Sequence, residues 1–345
     1  VQYPIGVMQE HLHTRSEAGL LDVSQMCQVV LHGPSWEVVA LAFESLVPVD
    51  VLGLANGRQR YGFFTNDAGG IEDDLMFARR GDDLFVVVNA ACKTSDIARM
   101  RAALEPAISV EVLDERALIA LQGPKAVDVL ARLDPRAADM RFMDLAELDF
   151  GGIAVWASRS GYTGEDGYEI SIAEADVDAL ARLLLNAEEV APIGLGARDS
   201  LRLEAGLCLY GQDMDTETTP LSAALGWAIQ KVRRSGGARE GGYPGAEVIL
   251  AEWANGPAQV RVGLSPKGRA PMRTGVALFA DQDSDTQIGT VTSGGFGPSV
   301  QAPVAMGMVA ADHATVGTEL YGDVRGKRQP VAVAKLPFVA PGFKR

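Results

Sequence analysis

The chain has 345 residues, 47% of them hydrophobic and 22% charged, the profile of a folded protein with room for two or three packed units, which excludes a disordered chain or a coiled coil. Lys and Arg total 31 against 45 Asp and Glu, and the formal charge of −14 repels nucleic-acid phosphates and anionic lipid. With four histidines and three cysteines that form no CxxC pair, neither a His/Cys metal cage nor a disulfide framework is expected, and a reducing compartment is.

In chain order, Glu10 to Ala18 reads as a helix, with His11 and His13 on different faces as two surface histidines, and Val23 to His32 as a strand. From Arg60 the pattern becomes hairpins. An apolar strand ends in the turn Thr65 to Gly70, Ile71 to Arg79 runs back, and the turn Arg80 to Asp83 leads into Leu84 to Asn89. This is antiparallel text, without a βαβ unit. Lys93 to Leu104 is a helix, Val110 to Leu113 and Ala117 to Leu121 are strands, and Pro124 to Leu133 is a helix. A hairpin over Asp149 to Ser158 turns at Gly151-Gly152, followed by the strand Tyr168 to Ile172 and an amphipathic helix Val177 to Leu185. Gly, Pro and small residues crowd together from about Ser235 to Pro257, where a domain linker is expected. Beyond it, short strands at Val260 to Leu264, Gly275 to Phe279, Ile288 to Thr292, Ala305 to Val309 and Val331 to Leu336 predict a small β-barrel or sandwich. The division is therefore 1–235, 236–256 and 257–345. The longest apolar run, Leu84 to Cys92, is strand-sized, so no membrane span is expected, and the N-terminus carries no signal or transit pattern.

Three segments can carry chemistry. The first, Asn66 to Leu75, drives three acids into a strand, and alternation puts Glu72, Asp74 and Met76 on one face and Ile71, Asp73, Leu75 and Phe77 on the core side. Pairing Arg79 with Leu84 sets Asp74 opposite Asn89, about 5 Å apart at Cβ. The alternative is a solvated face of an edge strand. The second is the loop Ser158 to Glu169, with Gly161, Gly164 and Gly167 at every third position. Such spacing lets backbone approach a flat group that Tyr162 can stack on and Glu169 can bind, although a plain hairpin loop would read the same way. The third is a helix from Gly194 to Gly206. Its first-turn Arg198 opposes the helix dipole, which suits either an anionic partner or a structural salt bridge, while Asp199 and Arg202 can pair at i,i+3. No GxGxxG, P-loop or GxSxG motif is present, so dinucleotide, triphosphate and serine-hydrolase chemistry lose their usual signal.

These segments, together with Gln122-Gly-Pro-Lys125, Leu209-Tyr-Gly-Gln-Asp-Met214, Leu225-Gly-Trp227 and Thr292-Ser-Gly-Gly-Phe-Gly-Pro-Ser299, resemble the aminomethyltransferase, or T-protein, family of the glycine cleavage system in order and spacing over almost the whole chain. The resemblance implies an α+β fold of three domains in a cloverleaf around a central folate cavity, with antiparallel sheets, packed helices and a C-terminal β-barrel. It implies transfer of the methylene of an aminomethyl-lipoyl partner, the H-protein, to tetrahydrofolate with release of ammonia. It makes Asp74 the catalytic acid and Tyr61, Asn89, Tyr162, Glu169, Arg198 and Phe343 cavity or folate-binding residues, with no metal. The setting implied is cytoplasmic, or the mitochondrial matrix in a eukaryote. Two rivals are a folate-dependent demethylase of a small methylated substrate and a folate-binding iron–sulfur assembly factor. The hallmark Lys-Gly-Cys-Tyr-x-Gly-Gln of the latter reads here as Gly206-Leu-Cys208-Leu-Tyr210-Gly-Gln, without the Lys and with the Cys displaced.

Overall fold

A computed structural model describes residues 3–344, so Val1, Gln2 and Arg345, at the outer bounds of the expected domains, lie outside the described residues. The hairpin text from Gln59 onward builds a five-stranded antiparallel sheet in the order Gln59–Thr65, Ile71–Arg80, Asp83–Val88, Cys27–His32, Ser109–Val112. Its pairing is the one the turn demands. Arg80 faces Asp83, Arg79 faces Leu84, and Gly81 takes the positive φ of 63° that the tight connection needs. Helices Trp36–Glu44 and Lys93–Leu104 cover one face of this sheet, and Phe43, Phe77, Val86 and Met100 meet in its core.

A second sheet has six strands in the order Val190–Pro192, Ala18–Asp22, Arg116–Gln122, Gly167–Ala173, Ala154–Ser158, Leu145–Asp149. The chain visits this sheet at Ala18–Asp22 before it builds the first one, so the two sheets share the N-terminal half of the sequence. Only the pair Ala18–Asp22 with Val190–Pro192 is parallel. Helix Glu174–Leu185 turns Leu180 and Leu184 into this core, and the Leu145–Asp149 hairpin turns at Gly151 and Gly152, both with positive φ. The C-terminal strands close a barrel in the order Gln259–Pro266, Ala302–Ala310, Gln287–Gly297, Ala277–Phe279, Glu319–Val324, Lys327–Ala334, so of barrel and sandwich the barrel is realised. Glu319–Val324 completes it, a strand whose mixed polar pattern gave no sequence signal.

Two expectations are corrected. The first helix is Val7–Ser16, and Ala18 already belongs to a strand. His11 is fully buried instead of exposed, because this helix turns its polar face, Glu10, His11 and Thr14, against the rest of the protein and leaves Met8 and Leu12 toward solvent. The stretch from Ser235 to Pro257 also contains a helix, Ala246–Asn255, whose Ile249 is buried with Phe63, Ile71 and Met214. Its apolar residues at Val248, Ile249 and Trp253 sit behind the glycine turns Gly241, Gly242 and Gly245, which masked them.

Candidate functional site

Ile71–Arg80 lies between two other strands, so its acids are not on an edge and the solvated-edge alternative fails. Asp73 faces inward and is fully buried, whereas Asp74 is half-buried on the opposite face. The registered pairing ends at Leu75 opposite Val88, and one step further Asn89 meets both acids. Its side-chain Nδ2 donates to Asp74 Oδ1 at 2.7 Å and to Asp73 Oδ1 at 2.9 Å, and its backbone N–H donates to Asp73 Oδ2 at 3.1 Å. On the other side Tyr61, registered with Met76, swings its phenol to Asp74 Oδ2 at 3.0 Å.

No cation pairs with Asp74 among the described residues. Burial, joined by the neighbouring charge of Asp73, therefore pushes its proton affinity up to about 7, and the Tyr61 and Asn89 hydrogen bonds only partly offset this. A carboxyl near half-titration at neutral pH can both take and give a proton. Burial holds the Tyr61 phenol well above its usual range, so it remains a donor to Asp74. The Tyr61 ring stacks on Trp227 at 5.5 Å between centroids and 22° between planes, and Trp227 is 65% exposed at this edge of the site.

Tyr162 joins this group to the other two segments. Its hydroxyl donates to the Cys208 carbonyl, and the Arg198 guanidinium lies over its ring at 5.0 Å. Arg198 stands in the first turn of the helix Leu195–Glu204, and its Nη1 is buried with no hydrogen-bond partner. Burial lowers the proton affinity of this guanidinium, against the pull of Glu169 and Tyr162. A salt-bridged Arg198 is therefore not what the fold builds, whereas Asp199 and Arg202 do pair at 2.8 Å. Arg202 is held further by buried Asp213 at 2.8 Å, a partner that no local spacing announces.

Glu169 sits on Gly167–Ala173 opposite Ser158, in a crevice where this sheet faces the first and where Met76, Val87, Leu118 and Trp156 also line the wall. Its carboxylate receives one long contact, from Ser160 Oγ at 3.4 Å. The close approach expected of the glycine loop is real, because a Cβ at Gly161 or Gly167 would fall within 2.6 Å of Gln122. Phe343 stacks on Phe142 at 4.2 Å and 10°, and its neighbour Gly342 donates to the Gly164 carbonyl. Among the described residues no hydrogen bond or ring contact joins Phe343 to the other six candidates, so it belongs to the tail that clasps the glycine loop.

An unpaired buried guanidinium, the phenol ring beneath it and a carboxylate with spare acceptor capacity fit a flat polar heterocycle that offers adjacent N–H donors on one edge and acceptors on another. The described residues contain no group of three His, Cys, Asp or Glu arranged to hold a metal ion. Sequence reasoning left out Trp227 as a wall of the site.

Comparison with known proteins gives two family matches, the GCVT N-terminal domain over residues 1–233 and the glycine cleavage T-protein C-terminal barrel domain over residues 259–340. The chain is 40% identical to the mitochondrial aminomethyltransferase of Dictyostelium discoideum over 100% of its own length and 88% of that protein. It is 42% identical to that of Flaveria trinervia, over 98% of this chain and 83% of the relative. Among solved structures, the glycine cleavage system aminomethyltransferase T from Bartonella henselae matches with a TM-score of 0.92 at 41% identity, covering 100% of this chain and 92% of that one.

Proposed function

The chain belongs to the glycine cleavage T-protein family and is an aminomethyltransferase, and on that premise we propose that it transfers the methylene of an aminomethyl-lipoyl H-protein to tetrahydrofolate. The observation that carries this reading is the presence, in one chain, of a cation-free Asp74 poised near neutral pH and a buried Arg198 whose Nη1 has no partner.

Glu169 accepts the adjacent N–H donors of the pterin edge, Arg198 supplies charge-assisted donors to its acceptors, and Tyr162 stacks between them. When the methylene leaves sulfur and nitrogen to bridge two folate nitrogens, those nitrogens lose two protons, and sulfur and departing ammonia gain two. The proton count closes within the site. Asp74 is the group placed to carry a proton between them, a role that contributes on the order of 10²- to 10⁴-fold. Tyr61 and Asn89 fix its two oxygens, so the carboxyl needs no reorientation as it exchanges the proton.

We further propose the division 1–235, 236–256 and 257–345, with the first segment carrying the two sheets that flank the crevice. The helix Ala246–Asn255 then belongs to a structured connection. No helix among the described residues is long and apolar enough to cross a membrane; the relatives named mitochondrial support a matrix setting in a eukaryote, and we infer a cytoplasmic one otherwise.

Assay of the purified protein with aminomethylated H-protein and tetrahydrofolate tests the reading. Ammonia release that requires both is the expected result. Transfer of a carbon to tetrahydrofolate from a small methylated substrate, with release of the demethylated product and no lipoyl partner, would favour the demethylase reading.

A further inference from the structure

The buried ion pair of Arg202 and Asp213 carries more hydrogen bonds than an ion pair needs. Asp213 is 1% exposed, and four donors converge on its carboxylate. Arg202 Nη1 donates to Oδ2 at 2.8 Å, the Leu209 backbone N–H to Oδ2 at 3.0 Å, the Ser293 hydroxyl to Oδ2 at 2.8 Å, and the Thr292 hydroxyl to Oδ1. Thr292 and Ser293 are consecutive on the barrel strand Gln287–Gly297, where alternation would turn their side chains to opposite faces. The register slips between Val291 and Ser293, and this bulge brings both hydroxyls onto one carboxylate.

The bond from Leu209 reaches furthest, because that N–H belongs to the same peptide group as the Cys208 carbonyl. A trans peptide is planar and points its N–H and C=O in opposite directions, so whatever fixes one end aims the other. At the far end the Cys208 carbonyl accepts the Tyr162 hydroxyl. The segment around this peptide is closed on itself: the Asp213 N–H donates back to the Leu209 carbonyl at 2.9 Å, and the Leu207 N–H donates to the Arg202 carbonyl at 3.0 Å. Arg202 also lies one turn beyond Arg198 on the helix Leu195–Glu204, so the two share a helix face. The ion pair therefore anchors the helix that lays the Arg198 guanidinium 5.0 Å over the Tyr162 ring. One carboxylate holds both partners of that stack.

We propose that Asp213 is a positioning residue of the folate site: through the Cys208–Leu209 peptide it aims the Tyr162 phenol, and through Arg202 it fixes the helix face that carries Arg198. Contact with the folate is not part of this role. The inference rests on the reading of Tyr162 and Arg198 as folate-binding residues.

Tetrahydrofolate binding, followed by isothermal titration without H-protein, tests it. Asp213→Asn keeps a carbonyl oxygen for the Leu209 N–H, the Thr292 hydroxyl can turn to accept from the amide, and the Kd is expected to stay within about threefold of wild type. Asp213→Ala removes the acceptor, and the Kd should rise about five- to tenfold, the worth of one hydrogen bond. Tyr162→Phe loses the same chain of bonds from its other end, so the two changes should not add: in the Tyr162→Phe background Asp213→Ala should weaken binding by less than about twofold. Additive effects would overturn the proposal, as would an Asn variant as weak as the Ala variant, since a purely structural ion pair needs the charge and not the shape. A Tyr162→Phe variant that binds as tightly as the wild type would bring down the reading of Tyr162, and the proposal with it.

Should Asp213→Ala fail to fold, the peptide itself decides. Cys208–Leu209 is the one Cys-Leu step in the sequence, so isotope labelling of cysteine carbonyls and leucine amides leaves a single correlated NMR signal. In the wild type its amide proton should lie downfield and resist exchange with solvent, as expected for a bond to a carboxylate. It should move upfield in Asp213→Asn, where a neutral acceptor replaces the charged one, and Tyr162→Phe should shift the carbonyl carbon. A freely exchanging amide, or a carbonyl unmoved by Tyr162→Phe, would sink the proposal.

Discussion

Asp74, half-buried, and Glu204, fully buried, are two acids of one chain whose surroundings drive them in opposite directions. Glu204 is fully buried at the junction of the first helix, the helix Leu195–Glu204 and the barrel. Burial alone would raise its proton affinity, but His11 Nε2 at 3.0 Å and the backbone N–H groups of Ser299 and Val300 more than offset it and bring it down to about 2. Arg15 adds a fourth partner at 3.1 Å. Asp74 has two neutral donors, an acidic neighbour and no cation, and is pushed up to about 7. Desolvation is thus more than compensated in one place and left standing in the other. A site that holds the protein together needs its charge settled, whereas a site that moves protons needs it unsettled.

The sharpest way to break this contrast is Asp74→Asn, which keeps the shape and removes the exchangeable proton. Turnover should fall by about 10²- to 10⁴-fold, or roughly 3–5 kcal/mol, with folate affinity changed by less than about tenfold. Stability should move the other way. Because the folded chain holds the Asp74 proton more tightly than the unfolded chain, the stability linked to it is present below the ordinary carboxyl range and is lost as pH rises through about 7. The Asn variant therefore melts higher than the wild type in mildly alkaline buffer. Near-normal turnover, or a lower melting temperature there, would remove Asp74 from the mechanism.

Glu204→Gln is the mirror test. Its depressed proton affinity contributes stability above pH 4.5 that disappears as pH falls through about 2, on the order of 3 kcal/mol in all. Urea unfolding of the Gln variant at neutral pH should show a loss of that order, and its stability should depend less on acidification than the wild type's. Activity per folded molecule should survive. If instead turnover vanished while stability held, the junction would be part of the chemistry and the contrast would collapse.

The two regions also differ in how far the sequence discloses them. The Asp74 site is mostly local. A tight turn at Gly81 fixes the register from Arg79 and Leu84 outward, so Asp74 and Asn89 can be set opposite each other by counting, and Arg198 stands out because it opposes the dipole of its own helix. The Glu204 junction is built from residues nearly two hundred positions apart, and the helix that brings His11 to it has its polar face inward, the reverse of what periodicity reads as a surface helix. Asp96 escaped for a related reason. An acid in the first turn of a helix is an ordinary helix-stabilising residue, and only its burial marks it. The helix Trp36–Glu44 left no mark that was read, although Val39, Ala40 and Phe43 share one buried face.

Between the two extremes stands Arg198, whose charge is neither paired nor titrated. Arg198→Ala should weaken binding of reduced folate by about 10- to 100-fold, the value of a charge-assisted hydrogen bond of roughly 1.5–3 kcal/mol, as measured by isothermal titration. The melting temperature should move by less than about 2 °C, since no partner in the fold loses a bond. A larger drop would mean that the guanidinium is structural after all.

The smallest expected effect sharpens the contrast without removing either acid. The Tyr61 hydroxyl donates to Asp74 Oδ2 at 3.0 Å, a bond that favours the ionised carboxyl and so works against burial. Tyr61→Phe deletes that bond and keeps the ring stacked on Trp227. With only Asn89 and the backbone of Asp74 itself left to oppose desolvation and the Asp73 charge, the Asp74 limb of the kcat profile should move to higher pH, by on the order of one pH unit for one hydrogen bond to a charged group. At a pH well above the limb the variant should run at close to the wild-type rate, because the ring still shapes the wall and the carboxyl is again ionised. A limb that stayed in place would assign that titration to some other group, and a limb that moved to lower pH would mean that the phenol had been stabilising the protonated carboxyl instead.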